Sequence, residues 1–493
     1  MPPPNQVCSE IGGPYLKPLQ EGLASYFLGE SSIVGIDCPL PLPQDTLPPL
    51  SLEDVTTQFL RAMRDFLHAP ETTETYRVNP TDFTRKRSFM FPRLAISLLS
   101  DHAKAAQNRL TDLLARGVFG DATMSPTASA FFQARAKIQS ELFVDWADLA
   151  VNFFYANYPE NGFTTTWHGR HLFAADCSIL NLPDNPDTRA TFSIHHNQLP
   201  GDGTVQAQAS FLYDLLNEFP VHAALGKKQA EKQFLFNDHV PYLNASVVSV
   251  YDMGYADSAV ISCLSAIPGD FIIRVPPQHS FNVVETFANG PATDEVVTLS
   301  VSSHQKALVS ARQWPEQVTV RLVKVVLPSG EVEVLMTSLL DKDTYPAADI
   351  AWVYFRRWGV ETAFNRFKHQ LEVECFSSGK VPNIKQDFHA TVFLQVLETI
   401  LNKVQDSATR AVSKCKQNKY EYHVKKAGSY PWLIANLSKL FLEKAQTLSK
   451  HLITYLGQLW RQTSPIRPNR HFERSHLTPT KKLNYNLYFK KRT

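Results

Sequence analysis

Between residues 166 and 275 the chain reads as three strands, a helix, a strand, a helix and a strand, and two of the strands run into aspartate. Residues 172–175 are a short apolar run ending on Asp176, and 247–251 (Val-Val-Ser-Val-Tyr) run into Asp252. Residues 205–216 and 221–225 are further strand candidates, separated by the turn-forming Asn217-Glu218-Phe219-Pro220. A charged helical stretch covers 226–236, a helix at 256–266 stops at Pro268-Gly269, and 270–275 is the last strand. Short apolar, β-branched runs bounded by turn residues read as strands buried on both faces, and such strands need helices to cover them. The segment is therefore restricted to a mixed α/β sheet. An aspartate at a strand end is often only a turn former, so chemistry here requires a partner elsewhere in the chain.

That partner is a helix at 354–368, YFRRWGVETAFNRFK. A helix advances about 100° per residue, which puts Tyr354, Arg357, Glu361 and Lys368 at about 0°, −60°, −20° and −40°. Val353, Val360, Phe364, Phe367 and Leu371 form a neighbouring apolar stripe that can anchor the helix on a core. The helix thus presents one carboxylate flanked by two cations and a phenol. A carboxylate can hold a hard divalent cation while Arg and Lys neutralise phosphate oxygens, a combination suited to phosphodiester chemistry.

The spacing Tyr-x2-Arg-x3-Glu-x6-Lys, filled by Tyr354, Arg357, Glu361 and Lys368 without departure, resembles the signature of the bacterial DDE transposases of the insertion sequence four family. The run Arg357-Trp-Gly-Val-Glu361 is similar as well, and Asp252-Met253-Gly254-Tyr255 resembles the family's Asp-x-Gly-Tyr. Members usually carry Asp-Gly-Ser at the first aspartate, so Cys177 is a departure. The resemblance implies an RNase H-like catalytic core, whose element order matches that of 166–275, with Asp176 and Asp252 at the C-terminal ends of neighbouring strands. It also implies that Asp176, Asp252 and Glu361 hold two Mg²⁺ ions, Mn²⁺ substituting, and that Tyr354, Arg357 and Lys368 handle DNA phosphate near the cut.

The net charge of +2 conceals an asymmetry. From 401 to 493 there are 19 Lys/Arg against 4 Asp/Glu, a net +15, so the first 400 residues carry 30 against 43, a net −13. A basic C-terminal segment points to a polyanionic partner. The six cysteines are scattered with no Cys-x-x-Cys pair, which favours neither zinc nor disulfides and suits a reducing compartment. No signal-like N-terminus and no run of about 18 uncharged apolar residues occurs, so the expectation is a cytoplasmic protein, nucleoid-associated when bound to DNA, with no membrane contact.

The expected fold class is α+β/α/β, built in five segments. They are an irregular Pro-rich N-terminus at 1–50, a helical DNA-binding domain at 51–165, and an RNase H-like catalytic core at 166–275 plus 346–400. A β-rich insertion at 276–345, with a hairpin at 327–331, and a basic helical C-terminal region at 401–493 complete it. In the resembled family the helical region binds the element ends, and Gln133-Ala-Arg135-Ala-Lys137 looks like one of its segments, although such residues are also ordinary surface charges. Arg274, Arg312, Arg321 and Lys324 could line DNA in the insertion, where Trp314 has a choice between stacking on an extruded base and core packing. The reading is a transposase that moves an insertion sequence by cut and paste, acting on terminal inverted repeats and target DNA as a homodimer in the DNA complex. A plain RNase H-like nuclease and a catalytically decayed, transposase-derived DNA-binding protein share the same residues.

Overall fold

The computed structural model describes residues 55–85, 87–100, 104–159, 162–196, 203–278, 281–327, 330–416 and 418–467. The Pro-rich segment at 1–50 and the basic residues from Arg470 onward lie outside them.

Six helices come first: α1 (Val55–His68), α2 (Pro70–Tyr76), α3 (Phe91–Leu98), α4 (Ala106–Ala115), α5 (Ala128–Arg135) and α6 (Glu141–Asn157). Thr127 starts α5 as an N-cap, its side chain accepting from Ala130 N at 3.2 Å. The expected helical character of this region is thus observed, but its basic segment behaves otherwise than expected. Arg135 has no exposed side-chain surface and pairs at 2.9 Å with Asp387, itself 1% exposed. It serves the core. Lys137 remains on the surface, 3.3 Å from Asp82.

Nine strands then form one mixed sheet, with order β2-β3-β1-β5-β6-β9-β8-β7 and β4 pairing with β3. They are β1 (His171–Asn181), β2 (Ser193–His195), β3 (Thr204–Asp214), β4 (Phe219–Gly226), β5 (Val247–Tyr251), β6 (Asp270–Val275), β7 (Asp294–Ser300), β8 (Gln317–Val326) and β9 (Val332–Thr337). Between them in the chain come α7 (Pro186–Thr191), α8 (Glu231–Phe234), α9 (Ser258–Ser265), α10 (Asn282–Asn289) and α11 (Lys306–Ala311). β1, β5 and β6 are parallel neighbours, and β6 pairs antiparallel with β9. The strands of the 276–345 segment therefore prolong the same sheet. The expected hairpin joins β8 to β9, closed by Leu327 N donating to Glu331 O at 2.9 Å.

Side chains alternate across a strand, so each central strand feeds two cores. Phe173, Tyr251, Phe271 and Ile273 face the helical layer that contains α6 and the long α14 (Val381–Cys415). There Trp146 stacks on Phe393 with ring centroids 4.2 Å apart. Leu172, Ala174, Val248, Val250 and Ile272 face the opposite layer, made by α12 (Ala347–Phe355) and α13 (Trp358–His369). Val353, Val360, Phe364 and Phe367 fill it, Phe364 stacking on Phe211 at 4.2 Å, as the apolar stripe requires. No described helix is long and apolar enough to cross a membrane.

The C-terminal part adds β10 (Tyr422–Val424), α15 (Lys426–Phe441), α16 (Leu448–Leu459) and β11 (Thr463–Pro465), with β10 and β11 paired antiparallel.

Candidate active site

The register of β1 and β5 places the two aspartates. His171 pairs with Val247 and Ala174 with Val250, a constant offset of 76 residues (247 − 171), and Asp252 follows Asp176 by the same 76. The two side chains therefore leave neighbouring strands at the same level, just beyond the last paired residues. Strands in a sheet lie about 4.8 Å apart, so this is close company. Their parity is that of Leu172 and Ala174, and of Val248 and Val250, so both start out toward the α12–α13 layer. One expectation needs correcting: β1 does not end at Asp176 but continues to Asn181, because residues 177–181 keep pairing with β3. Asp252 does close its strand. Its Oδ1 accepts from Gly254 N at 2.8 Å and caps a short 3-10 turn.

The helix at 354–368 is likewise corrected. It is two helices, with Arg356 and Arg357 in the turn between α12 and α13. Both turn residues keep right-handed helical angles, so the stripe survives the break. Arg357 is the hinge of the site. Its Nη2 donates to Glu361 Oε1 at 2.9 Å, while Nη1 stands 3.9 Å from Asp176 Oδ2. The guanidinium is 9% exposed, and its carbon lies 5.9 Å from the centre of the buried Tyr354 ring. Lys368 takes a different post, with Nζ donating to Ile179 O on β1 at 2.7 Å.

The carboxylates feel one another. Burial pushes the Asp176 carboxyl up to about 6, and Asp252 and Glu361 add to the rise, while the Cys177 N–H (2.8 Å) and Arg357 oppose it. A fourth carboxylate, Glu231 on α8 (Glu231–Phe234), joins them. A Cβ added at Gly254 would meet Asp252 Oδ1 at 3.1 Å and Glu231 Oε2 at 3.4 Å, so both acids border that glycine. Burial, then Asp252 and Asp176, push Glu231 up to about 7. Sequence reasoning missed Glu231, because one acid in a short charged stretch carries no periodic or motif signal. Cys177, the departure from Asp-Gly-Ser, lies opposite Ser210 in the sheet, and burial pushes its thiol up to about 12.

As the side chains stand, no three His, Cys, Asp or Glu among the described residues are gathered closely enough to hold a metal ion. The Arg357 guanidinium, in contact with both Glu361 (2.9 Å) and Asp176 (3.9 Å), supplies compensating positive charge there. The donor chemistry nonetheless fits a hard divalent cation: carboxylate oxygens only, partly buried, with a surplus of negative charge.

Other candidate DNA contacts resolve differently. Arg321 is fully buried, bonded to Asp294 through Nε (2.9 Å) and Nη2 (2.6 Å). Arg274 pairs with Glu333 at 2.6 Å, and Lys324 donates to Gly290 O at 2.8 Å. Trp314 packs on Phe236 with ring centroids 5.3 Å apart, and Arg312 lies over it at 5.8 Å. For Trp314 the packing role holds.

No family model matches the chain. A solved piggyBac transposase synaptic complex with hairpin DNA aligns over 85% of this chain and 88% of that one, with 10% identity and a TM-score of 0.42. The transposase InsG for insertion sequence element IS4 of Escherichia coli (strain K12) is 23% identical over 256 residues, 50% of this chain and 53% of that protein. The chain therefore spans about half the length of this curated relative. By sequence this chain is similar to a transposase of insertion sequence four.

Proposed function

We propose that this protein is a DDE transposase that cleaves DNA and joins it to a new site, moving an insertion sequence by cut and paste. The observation that carries the reading is the shared 76-residue offset, which sets Asp176 beside Asp252, together with Arg357 linking that pair to Glu361. In this reading Asp176, Asp252 and Glu361 are the oxygen donors for Mg²⁺, or for Mn²⁺ in its place. When bound, the metal supplies charge stabilisation to the attacking and leaving oxygens of an in-line displacement.

The chain's own residues do the rest. Arg357 compensates the carboxylates at rest and is near enough to turn toward a phosphate oxygen, where its planar fork suits the geometry. Lys368 ties α13 to β1 through Ile179 and so sets how Glu361 meets Asp176. Tyr354 packs beside the guanidinium and limits where it can swing. Double-stranded DNA is the substrate, with two copies of the chain acting on paired ends.

The test uses the DNA that brackets the gene, incubated with the full chain and Mg²⁺ and resolved on a gel that separates nicked, hairpinned and strand-transferred products. Cleavage followed by joining is expected. Cleavage without joining identifies a nuclease, and DNA binding with no cleavage in Mg²⁺ or Mn²⁺ identifies a decayed transposase; either result overturns the proposal.

A further inference from the structure

A cleft of about 480 Å³ lies alongside the α12–α13 turn, between that turn, the β3–β4 connection and α14. Its lining includes four Lys/Arg (Arg356, Lys403, Arg410, Lys426) and three carboxylates (Glu218, Glu398, Asp406). The carboxylates are already engaged. Lys426 bonds Glu218, Arg410 bonds Asp406 at 2.9 Å, and Glu398 is held by Arg366 and Ser429. Two cations remain. Among the described residues, neither Lys403 nor Arg356 has a hydrogen bond or an ion pair with a carboxylate.

Both are placed for a ligand. Burial lowers the Lys403 pKa while the nearby carboxylates of Glu218, Asp214 and Asp406 oppose the shift, and its ammonium lies 6.0 Å from the centre of the Phe154 ring. Arg356 lies over the exposed Trp352 ring, its guanidinium carbon 3.9 Å from the centre. A stacked guanidinium keeps its N–H edge free for two parallel hydrogen bonds to an oxyanion. A volume of this size takes a ligand of roughly nucleotide dimensions, and the exposed indole, covered on one face by Arg356, has its other face for a base to stack on. None of Asp176, Asp252, Tyr354, Arg357 or Glu361 lines this cleft, so it is a place separate from the candidate active site.

We propose that this cleft binds a nucleotide of a DNA strand, its phosphate between Lys403 and Arg356 and its base against Trp352. The proposal rests on the transposase reading and extends it by giving a bound strand an anchoring point apart from Asp176 and Glu361. It also gives part of the basic C-terminal segment a task, because Lys403, Arg410 and Lys426 all come from it.

The experiment measures fluorescence anisotropy of a fluorescein-labelled 20-nucleotide strand, and of the same sequence as a duplex, over 50–300 mM KCl. Full-length protein is compared with the Arg356→Gln/Lys403→Gln double variant, with Arg356→Gln alone and with Lys403→Arg, all checked for equal melting temperature. Each lost phosphate contact lowers the salt slope for single strands by about 0.7. The double variant is expected to lose about 1.4, Arg356→Gln about half of that, and Lys403→Arg nothing. An unchanged slope in both substituted variants overturns the site. Free thymidine monophosphate is titrated in parallel; if it stabilises the unaltered protein but not the double variant while DNA binding stays the same, the ligand is a free nucleotide and the DNA assignment falls. If the unaltered protein cleaves DNA and the double variant matches its slope, only the cleft assignment fails, whereas no DNA binding by the unaltered protein removes the transposase reading as well.

Discussion

Replacing Arg135 separates a structural arginine from a DNA-binding one. Its guanidinium is enclosed and donates to Gln386 Oε1 (2.9 Å), Asn383 O (3.1 Å), Asp387 Oδ1 (2.9 Å) and Ser377 Oγ. Arg135→Ala strips the cation from a carboxylate that is 1% exposed and leaves three further acceptors short of a donor. Asp387 would keep the Ser377 N–H (2.8 Å) and hydroxyl (2.6 Å). Removing one partner of a buried pair costs about 3–5 kcal/mol, and partial retention by Ser377 puts the expectation near 4 kcal/mol. The paired replacement Arg135→Met with Asp387→Leu removes both charges and is expected to recover part of that loss, the Ser377 N–H being left without its acceptor. Urea unfolding followed by tryptophan fluorescence reads the midpoints and slopes. DNA affinity per folded molecule should not change. An Arg135→Ala variant within about 1 kcal/mol of the unaltered protein, or one whose salt slope on duplex DNA falls by about 0.9, would refute the argument, because that slope is the mark of a lost phosphate contact.

Three further outcomes are expected. Glu361→Gln keeps the shape of the side chain and its bond from Arg357 but loses the charge that a divalent cation requires, so it should abolish cleavage and remove any Mg²⁺-dependent rise in melting temperature, both absent only if Glu361 is a ligand. Lys368→Ala releases the tie to Ile179 O and should slow nicking without abolishing it, and a gel showing it as inactive as Glu361→Gln would contradict that division. Burial, helped by Asp145, pushes the Asp148 carboxyl up to about 7, with Tyr242 opposing the rise. A carboxyl raised on folding costs stability above its folded pKa and nothing below its unfolded pKa near 4, so Asp148→Asn should gain on the order of 2 kcal/mol at pH 8 and fade to no gain by pH 4; an equal gain at both pH values would sink the assignment.

Much of the α12–α13 layer was legible because periodicity reports burial. Val360, Phe364 and Phe367 line the core as their spacing demands, and the apolar runs at 172–175 and 247–251 are strands. What periodicity cannot report is pairing between distant segments. β1 runs on past Asp176 because β3 accompanies it, and no local signal at Cys177 says so. The break at Arg356-Arg357 contains no proline or glycine to announce it. Arg135 and Arg321 read as surface cations because their partners, Asp387 and Asp294, lie 252 residues downstream and 27 residues upstream. Glu231 stayed hidden for the same reason: only the fold brings it beside Asp252 and Gly254.

The pairing of β6 with β9 has a consequence for how far this protein can be trimmed. Remove 276–345 and β6 becomes a naked border whose Phe271, Ile272 and Ile273 are fully buried at present. Unpaired borders of that kind recruit strands from other molecules. At present the border is β7, where Asp294, Glu295 and the Lys342 ammonium (3.2 Å from Asp294) place charge that discourages such recruitment. A deletion variant should therefore be lost to precipitation before its chemistry can be measured, which makes the 276–345 strands a solubility device for the sheet that carries Asp176 and Asp252.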